Sequence, residues 1–264
     1  MHWDYEKARW STEYIYETKF NEEKQTLSFR AGKMTAFGLA VFQFNNLPFQ
    51  SWELKRSGAT DPEVTFTLTT AILALEFVIR AEEVTLTMLE NANTSALQEL
   101  VGVRYKPRTL LKLLRTGGVN IFPSADAFQY IDGVQVKHHV TENHLYRCMA
   151  LLCLSYRFSW SRWNLMCGYK KFVLQLRYAD IEKGPNELLL ITDQRAFMTG
   201  STDVHQAFSE MENTEATRIF QPDLWSLAVS RDGERVHAIV DTLDTAFIET
   251  VYFMLSQTRI MSYS

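Results

Sequence analysis

Between residues 64 and 88 the chain alternates apolar with small or polar side chains in three successive runs. Val64, Phe66 and Leu68 are separated by threonines. Leu73, Leu75, Phe77 and Ile79 interleave with Ala74, Glu76, Val78 and Arg80, and Val84, Leu86 and Met88 with Thr85 and Thr87. A side-chain period of two suits a strand with one buried face; a helix would scatter the same residues around its surface. Upstream, Glu13–Phe20 and Thr26–Arg30 flank Asn21-Glu22-Glu23-Lys24, which reads as a hairpin turn. Met34–Phe44 reads as a long apolar strand, and Gln50–Arg56 as a strand ended by the turn-forming stretch Ser57–Pro62. Short strands at this spacing predict an antiparallel, sandwich-like β layer over residues 1–98, with a polar loop at Glu90–Ser95.

Past residue 99 the period changes. Pro107 suits the first turn of a helix and Gly117-Gly118 its left-handed close, with Leu110, Leu111 and Leu114 as the apolar stripe between them. Val119–Phe122 reads as a short strand stopped by Pro123. Thr141, with Glu142 behind it, predicts a helix start, and Leu145, Met149, Leu152 and Tyr156 recur at helical spacing. Phe172–Arg177 and Glu187–Thr192 read as strands. Asp232-Gly233 fits either a hairpin turn or a helix stop, and Asp244 is placed to cap a last helix burying Phe247, Ile248, Val251 and Leu255. The expected class is α+β: a β region over 1–98, then a mixed helix and strand region over 99–264, with one core able to serve both.

The segment Phe158-Ser159-Trp160-Ser161-Arg162-Trp163-Asn164, read as a strand, sends Trp160 and Trp163 to opposite faces and so pins one strand between two layers. At 46% hydrophobic and 22% charged the chain can build a sizeable core. A formal net charge of −4 argues against a surface given over to nucleic acid. Cys148, Cys153 and Cys167 are odd in number and lie in apolar stretches, which suits reduced thiols in the cytoplasm. The first residues lack a signal-peptide pattern, and no apolar run is long enough for a bilayer, so no membrane association is expected.

Motifs for chemistry are sparse. His138-His139, His144 and Cys148 bring together metal-ligand residue types, but the spacing matches no zinc signature; an ordinary helix entrance without metal is expected. The cysteines sit where a thiol is inert, no Gly-x-Ser-x-Gly elbow occurs, and Gly117-Gly118 lacks the rest of a phosphate loop. Neither a catalytic residue nor a cofactor is expected. Arg108, Lys112 and Arg115 recur at i, i+4 and i+7 on one helix face, with Arg104 and Lys106 just before it. This stripe is either a solvated outer face or a docking face for an acidic protein partner such as tubulin. RNA fits it less well, because the interleaved residues are inward leucines rather than aromatics.

Four segments in order carry a resemblance: Leu47-Pro48-Phe49-Gln50-Ser51-Trp52-Glu53-Leu54, Gly118-Val119-Asn120-Ile121-Phe122-Pro123, Phe158–Asn164 and Thr258-Arg259-Ile260-Met261-Ser262-Tyr263-Ser264. From about Trp10 to Ser264 the chain resembles the C-terminal domain of the axonemal dynein intermediate chain 7 family, also called cancer susceptibility candidate 1. The resemblance implies a structural or adaptor component of the ciliary or flagellar axoneme, a cytoskeletal location, no enzymatic activity, and dynein-complex components, other axonemal proteins and microtubules as partners. Family members carry a long, charged, largely helical region ahead of this domain; the present sequence does not include it, and binding that resides there does not carry over. The rival expectation is a small-molecule-binding or enzymatic domain with its pocket between the two regions.

Overall fold

The computed structural model describes residues 1–58, 61–92, 94–181, 186–212 and 220–264, which fall into two units, Met1–Gln43 and Phe44–Ser264. In the first unit β1 (His2–Asp4) pairs antiparallel with β2 (Arg9–Ser11), and β3 (Ile15–Asn21) with β4 (Thr26–Ala31). The hairpin turn is where the sequence places it: the Lys24 amide donates to Asn21 Oδ1 at 2.8 Å. Residues 34–44, expected as a long apolar strand, do not form one. A strand needs a continuous ladder for its amides and carbonyls. Here the backbone is tied at a few points, among them an isolated bridge between Phe37 and His2 and a bond from the Trp3 amide to the Ala36 carbonyl.

The second unit is built on a nine-stranded antiparallel sheet with the order β13-β12-β11-β10-β5-β6-β7-β8-β9. The expected Gln50–Arg56 strand is β5 (Ser51–Arg56), and the three period-two runs supply β6 (Glu63–Thr69), β7 (Ala74–Arg80) and β8 (Glu83–Glu90), a meander of consecutive neighbours. Ala59 and Thr60 in the expected turn before β6, and Asn93 in the expected loop after β8, lie outside the described residues. After α1 (Ser95–Gln98) and β9 (Arg104–Tyr105), which closes the sheet edge on β8, come α2 (Pro107–Thr116) and α3 (His139–Leu152). The chain then returns to the sheet as β10 (Tyr156–Ser159), beside β5, with Phe158 opposite Leu54 and Ser159 opposite Glu53. After α4 (Trp163–Met166), strands β11 (Phe172–Tyr178), β12 (Glu187–Ile191) and β13 (Ala196–Met198) complete the sheet, and α5 (Leu224–Val240) and α6 (Thr245–Thr258) end the chain. The class is α+β, and the change of period near residue 98 falls inside the second unit, because strands from both sides of it share one sheet.

Alternation along the strands sorts side chains by face. Leu54, Phe66, Leu75, Phe77, Phe158, Phe172 and Leu189 join the larger buried cluster. The layer against β7 and β8 is helical, since α6 packs on β7 and α2 on β8. Val173, Leu188, Leu190 and Phe197, of the opposite parity, form a second, smaller cluster with Trp163. The two tryptophans do divide between clusters, Trp160 packing on the larger and Trp163 in the smaller, but not by continuing a strand. The strand stops at Ser159, and Ser161 Oγ accepts from the Trp163 amide at 3.3 Å, turning the chain into α4.

Helix ends follow local chemistry. Pro107 opens α2, and Gly118, at φ 86°, supplies the left-handed residue after it. The helix expected to start at Thr141 starts at His139, with His138 as its N-cap. Asp244 caps α6 by accepting from the Ala246 amide at 3.2 Å. Asp232-Gly233 is a kink inside α5, with Asp232 at φ −156° and ψ 65°. Val119–Phe122, expected as a strand, lies outside the sheet; its apolar side chains Val119, Ile121 and Phe122 are buried in the larger cluster.

Candidate functional site

The basic stripe is exposed along its length: Arg104, Lys106, Arg108, Lys112 and Arg115 all reach solvent. From residue 100 to residue 125 no acidic side chain interrupts it. Burial of Leu110, Leu111 and Leu114 turns this face of α2 outward. Neighbours hold several of the cations in place. The Arg108 guanidinium lies over the Phe253 ring of α6 at 5.1 Å, Arg115 lies over Phe122 at 5.5 Å, and Lys106 pairs with Glu82. The ring contacts leave the arginine charge available to a partner, whereas the Glu82 pair partly offsets that of Lys106.

Two of the four segments that carry the resemblance converge on a third, the C-terminal tail. The Phe49 amide donates to the Tyr263 carbonyl at 2.7 Å, Trp52 Nε1 to Ser264 Oγ at 3.1 Å, and Asn164 Nδ2 to the Met261 carbonyl at 2.7 Å. Around them lies a buried polar network. Glu142 accepts from Tyr146 at 2.9 Å, Ser262 at 2.6 Å and the Arg259 guanidinium at 2.9 Å. That grip holds Arg259 in a left-handed backbone conformation, φ 51°, where α6 ends. Lys137, 1% exposed, spends its ammonium on the carbonyls of Asn164 and Cys167 at 2.7 and 3.0 Å, and burial pushes its pKa down to about 8. These groups are consumed in fixing the tail, so the site organises the fold. Gly118–Pro123, the fourth segment, joins through the shared apolar core.

The histidine and cysteine cluster is taken apart and rebuilt. His138 bonds Thr141 at 2.9 Å and His139 bonds Asn143, both within the first turn of α3. His144 and Cys148, one turn apart on α3, meet instead Asp223, the N-cap of α5. Asp223 Oδ2 lies 2.8 Å from His144 Nε2, and Cys148 Sγ lies 3.7 Å from the same nitrogen. Asp223 Oδ1 is occupied by the Ser226 amide at 2.8 Å. Burial pushes the Cys148 thiol up to about 12. The three side chains line a cavity of about 310 Å³ walled by Val140, Leu145, Ile191 and Leu224. It lies wholly in the second of the two regions inferred from sequence, not between them. Asp223 belongs to no motif; the Pro222-Asp223-Leu224 pattern signals a helix cap, but nothing local signals His144.

The Met1–Gln43 unit carries a different surface. Met1, Ile15, Leu27, Phe29, Phe37 and Leu39 line an open apolar groove of about 330 Å³. Met34, Val41 and Phe42 are more than four-fifths exposed. Six acidic and six basic residues balance within this unit, so apolar contact rather than charge dominates what it can recognise.

The Phe44–Ser264 unit is thus an α+β unit with a buried polar network that locks the tail and a basic stripe exposed on α2. The family profile described as Cancer susceptibility candidate 1 C-terminal matches residues 6–214, and the chain belongs to that family. It is 31% identical over 269 residues to the protein named Dynein axonemal intermediate chain 7 of Danio rerio, covering 99% of this chain and 35% of that one. Against the protein of the same name in Homo sapiens identity is 28% over 268 residues, 100% of this chain and 37% of that one. A Dynein axonemal intermediate chain 7 homolog of Ciona intestinalis is 32% identical over 174 residues, 66% of this chain and 23% of that one. The chain thus spans about a third or less of the length of these relatives.

Proposed function

We propose that this chain is a non-enzymatic structural or adaptor component of the ciliary or flagellar axoneme, acting by protein–protein contact with the axonemal dynein complex. Its relatives are named as intermediate chains of that complex. The observation that carries the adaptor reading is the exposed apolar surface of the Met1–Gln43 unit, with Met34 86%, Leu39 85% and Phe42 90% exposed. Surfaces of this kind mark contact sites. The occupant of the apolar groove is another subunit of the dynein complex. The α2 stripe of Arg104, Lys106, Arg108, Lys112 and Arg115 is the second contact, facing the acidic surface of tubulin, where opposite charge speeds encounter and fixes orientation.

Co-sedimentation with axonemes tests both contacts. Reversing Arg108, Lys112 and Arg115 to glutamate leaves the fold intact, weakens pelleting and flattens its salt dependence. Leu39→Asp with Phe42→Asp leaves the salt dependence unchanged and removes dynein subunits from the co-precipitate. A parent-like result from both variants would sink the adaptor proposal.

A further inference from the structure

From the meeting of His144, Cys148 and Asp223 at one mouth of a cavity, we infer that this chain holds a zinc ion on these three side chains, with a fourth coordination position open to the cavity. Their ligand atoms lie within 4.8 Å of one another. Two come from α3, one turn apart, and the third from the N-cap of α5, which packs against α3.

The approach geometry separates this site from a catalytic triad. A thiol–imidazole–carboxylate relay places the thiol at one ring nitrogen and the carboxylate at the other. Here Sγ and Oδ2 both approach Nε2, at 3.7 and 2.8 Å. Three donors converging on one point suit a shared cation. Tetrahedral zinc, with bonds of about 2.0–2.3 Å, sets its ligand atoms about 3.3–3.8 Å apart. The Cys148–His144 separation already falls in that range, and the His144–Asp223 pair opens by about half an ångström to reach it. Asp223 is oriented for this role: the Ser226 amide on Oδ1 fixes the carboxylate and leaves Oδ2 facing His144.

The donor set chooses the metal. One thiolate, one imidazole and one carboxylate suit borderline zinc, whereas calcium and magnesium take oxygen ligands only. Binding exchanges the Cys148 thiol proton for the cation: the S–H bond breaks, an S–Zn bond forms, and one proton passes to solvent. The open position accepts water or a donor atom of a partner protein. The cavity lining mixes Val140, Leu145, Ile191 and Leu224 with the polar Thr141, Thr192 and Asp193.

Cobalt(II) titration of the full chain reads this directly. The expected result is one equivalent bound per chain, with a thiolate-to-cobalt charge-transfer band and the intense visible bands of tetrahedral coordination, both erased by adding zinc. Cys148→Ser removes the charge-transfer band, and Cys167→Ser leaves it. Asp223→Asn keeps a good helix cap while removing the anionic ligand, so it folds; it weakens cobalt affinity at least tenfold and abolishes the rise in melting temperature that zinc gives the parent. Absence of a saturable band in the parent, or a band that survives Cys148→Ser, overturns the site. The titration involves no axonemal partner, so its outcome is independent of the adaptor proposal.

Discussion

Phe77 in β7 and Phe42 in the N-terminal unit are the same side chain in opposite circumstances, the first 0% exposed and the second 90%. Phe77 faces Phe66 of β6 and Leu86 of β8 across the ladder, beside a register shift at Glu76, and its ring lies in the core on the side where α6 packs on β7. Around Phe42 the backbone makes no ladder, and Met34, Leu39 and Val41 share its exposure. Burial of apolar area stabilises by roughly 25 cal/mol per Å². Apolar residues in the Phe44–Ser264 unit therefore hold the fold together, while those at the end of the Met1–Gln43 unit contribute little stability and remain available for contact. The comparison teaches that hydrophobic content alone does not decide burial; a second layer packed on the apolar face, as α6 is on β7, does.

The largest effect that could break this contrast is truncation in the sheet. Phe77→Ala should destabilise by about 3–5 kcal/mol in denaturant melts. A loss below about 1 kcal/mol would mean that the sheet core is not what holds this unit.

A smaller effect comes from the buried polar network. Lys137→Met leaves the carbonyls of Asn164 and Cys167 without their donor and should cost about 1–3 kcal/mol. Its pH dependence has a definite sign. Because burial lowers the folded value to about 8 from 10.5, the unfolded chain binds the extra proton between those limits. The contribution of Lys137 to stability therefore rises with pH across that window and is smallest below about 8. Melts of parent and variant on both sides of the window should show the gap widening as pH increases; a constant gap would refute the buried charge.

The tryptophans sharpen the comparison further. Trp52 Nε1 donates to Ser264 Oγ, whereas Trp160 Nε1 is buried with no hydrogen-bond partner among the described residues. Trp52→Phe should cost about 1 kcal/mol more than Trp160→Phe, because only the first breaks a buried hydrogen bond. Equal losses would show that ring volume, not the hydrogen bond, dominates at both sites.

The smallest effect is expected at the other end of the contrast. Phe42→Ser should move stability by no more than about 0.5 kcal/mol. A larger loss would place Phe42 in the fold rather than in the contact surface.

Much of this fold was legible in the sequence wherever the determining forces are local. The period-two runs became β6 to β8 because alternation is itself the condition for a one-sided strand. Pro107, Gly118 and Asp244 marked helix ends because capping is settled by a residue's own backbone preference and its nearest amides. The outward stripe of α2 followed from the inward leucines of the same helix. Met34–Phe44 failed as a strand because a strand's ladder is supplied by a neighbour, which the segment cannot specify alone. Tertiary structure alone decided that β10 pairs with β5, joining both sequence regions in one sheet, and that Glu142 and Lys137 are sealed beneath the tail rather than solvated. It alone set Asp223, 79 residues along the chain, against His144. Such contacts are selected by the packing of whole elements, and no pattern within a dozen residues encodes which two distant side chains that packing brings together.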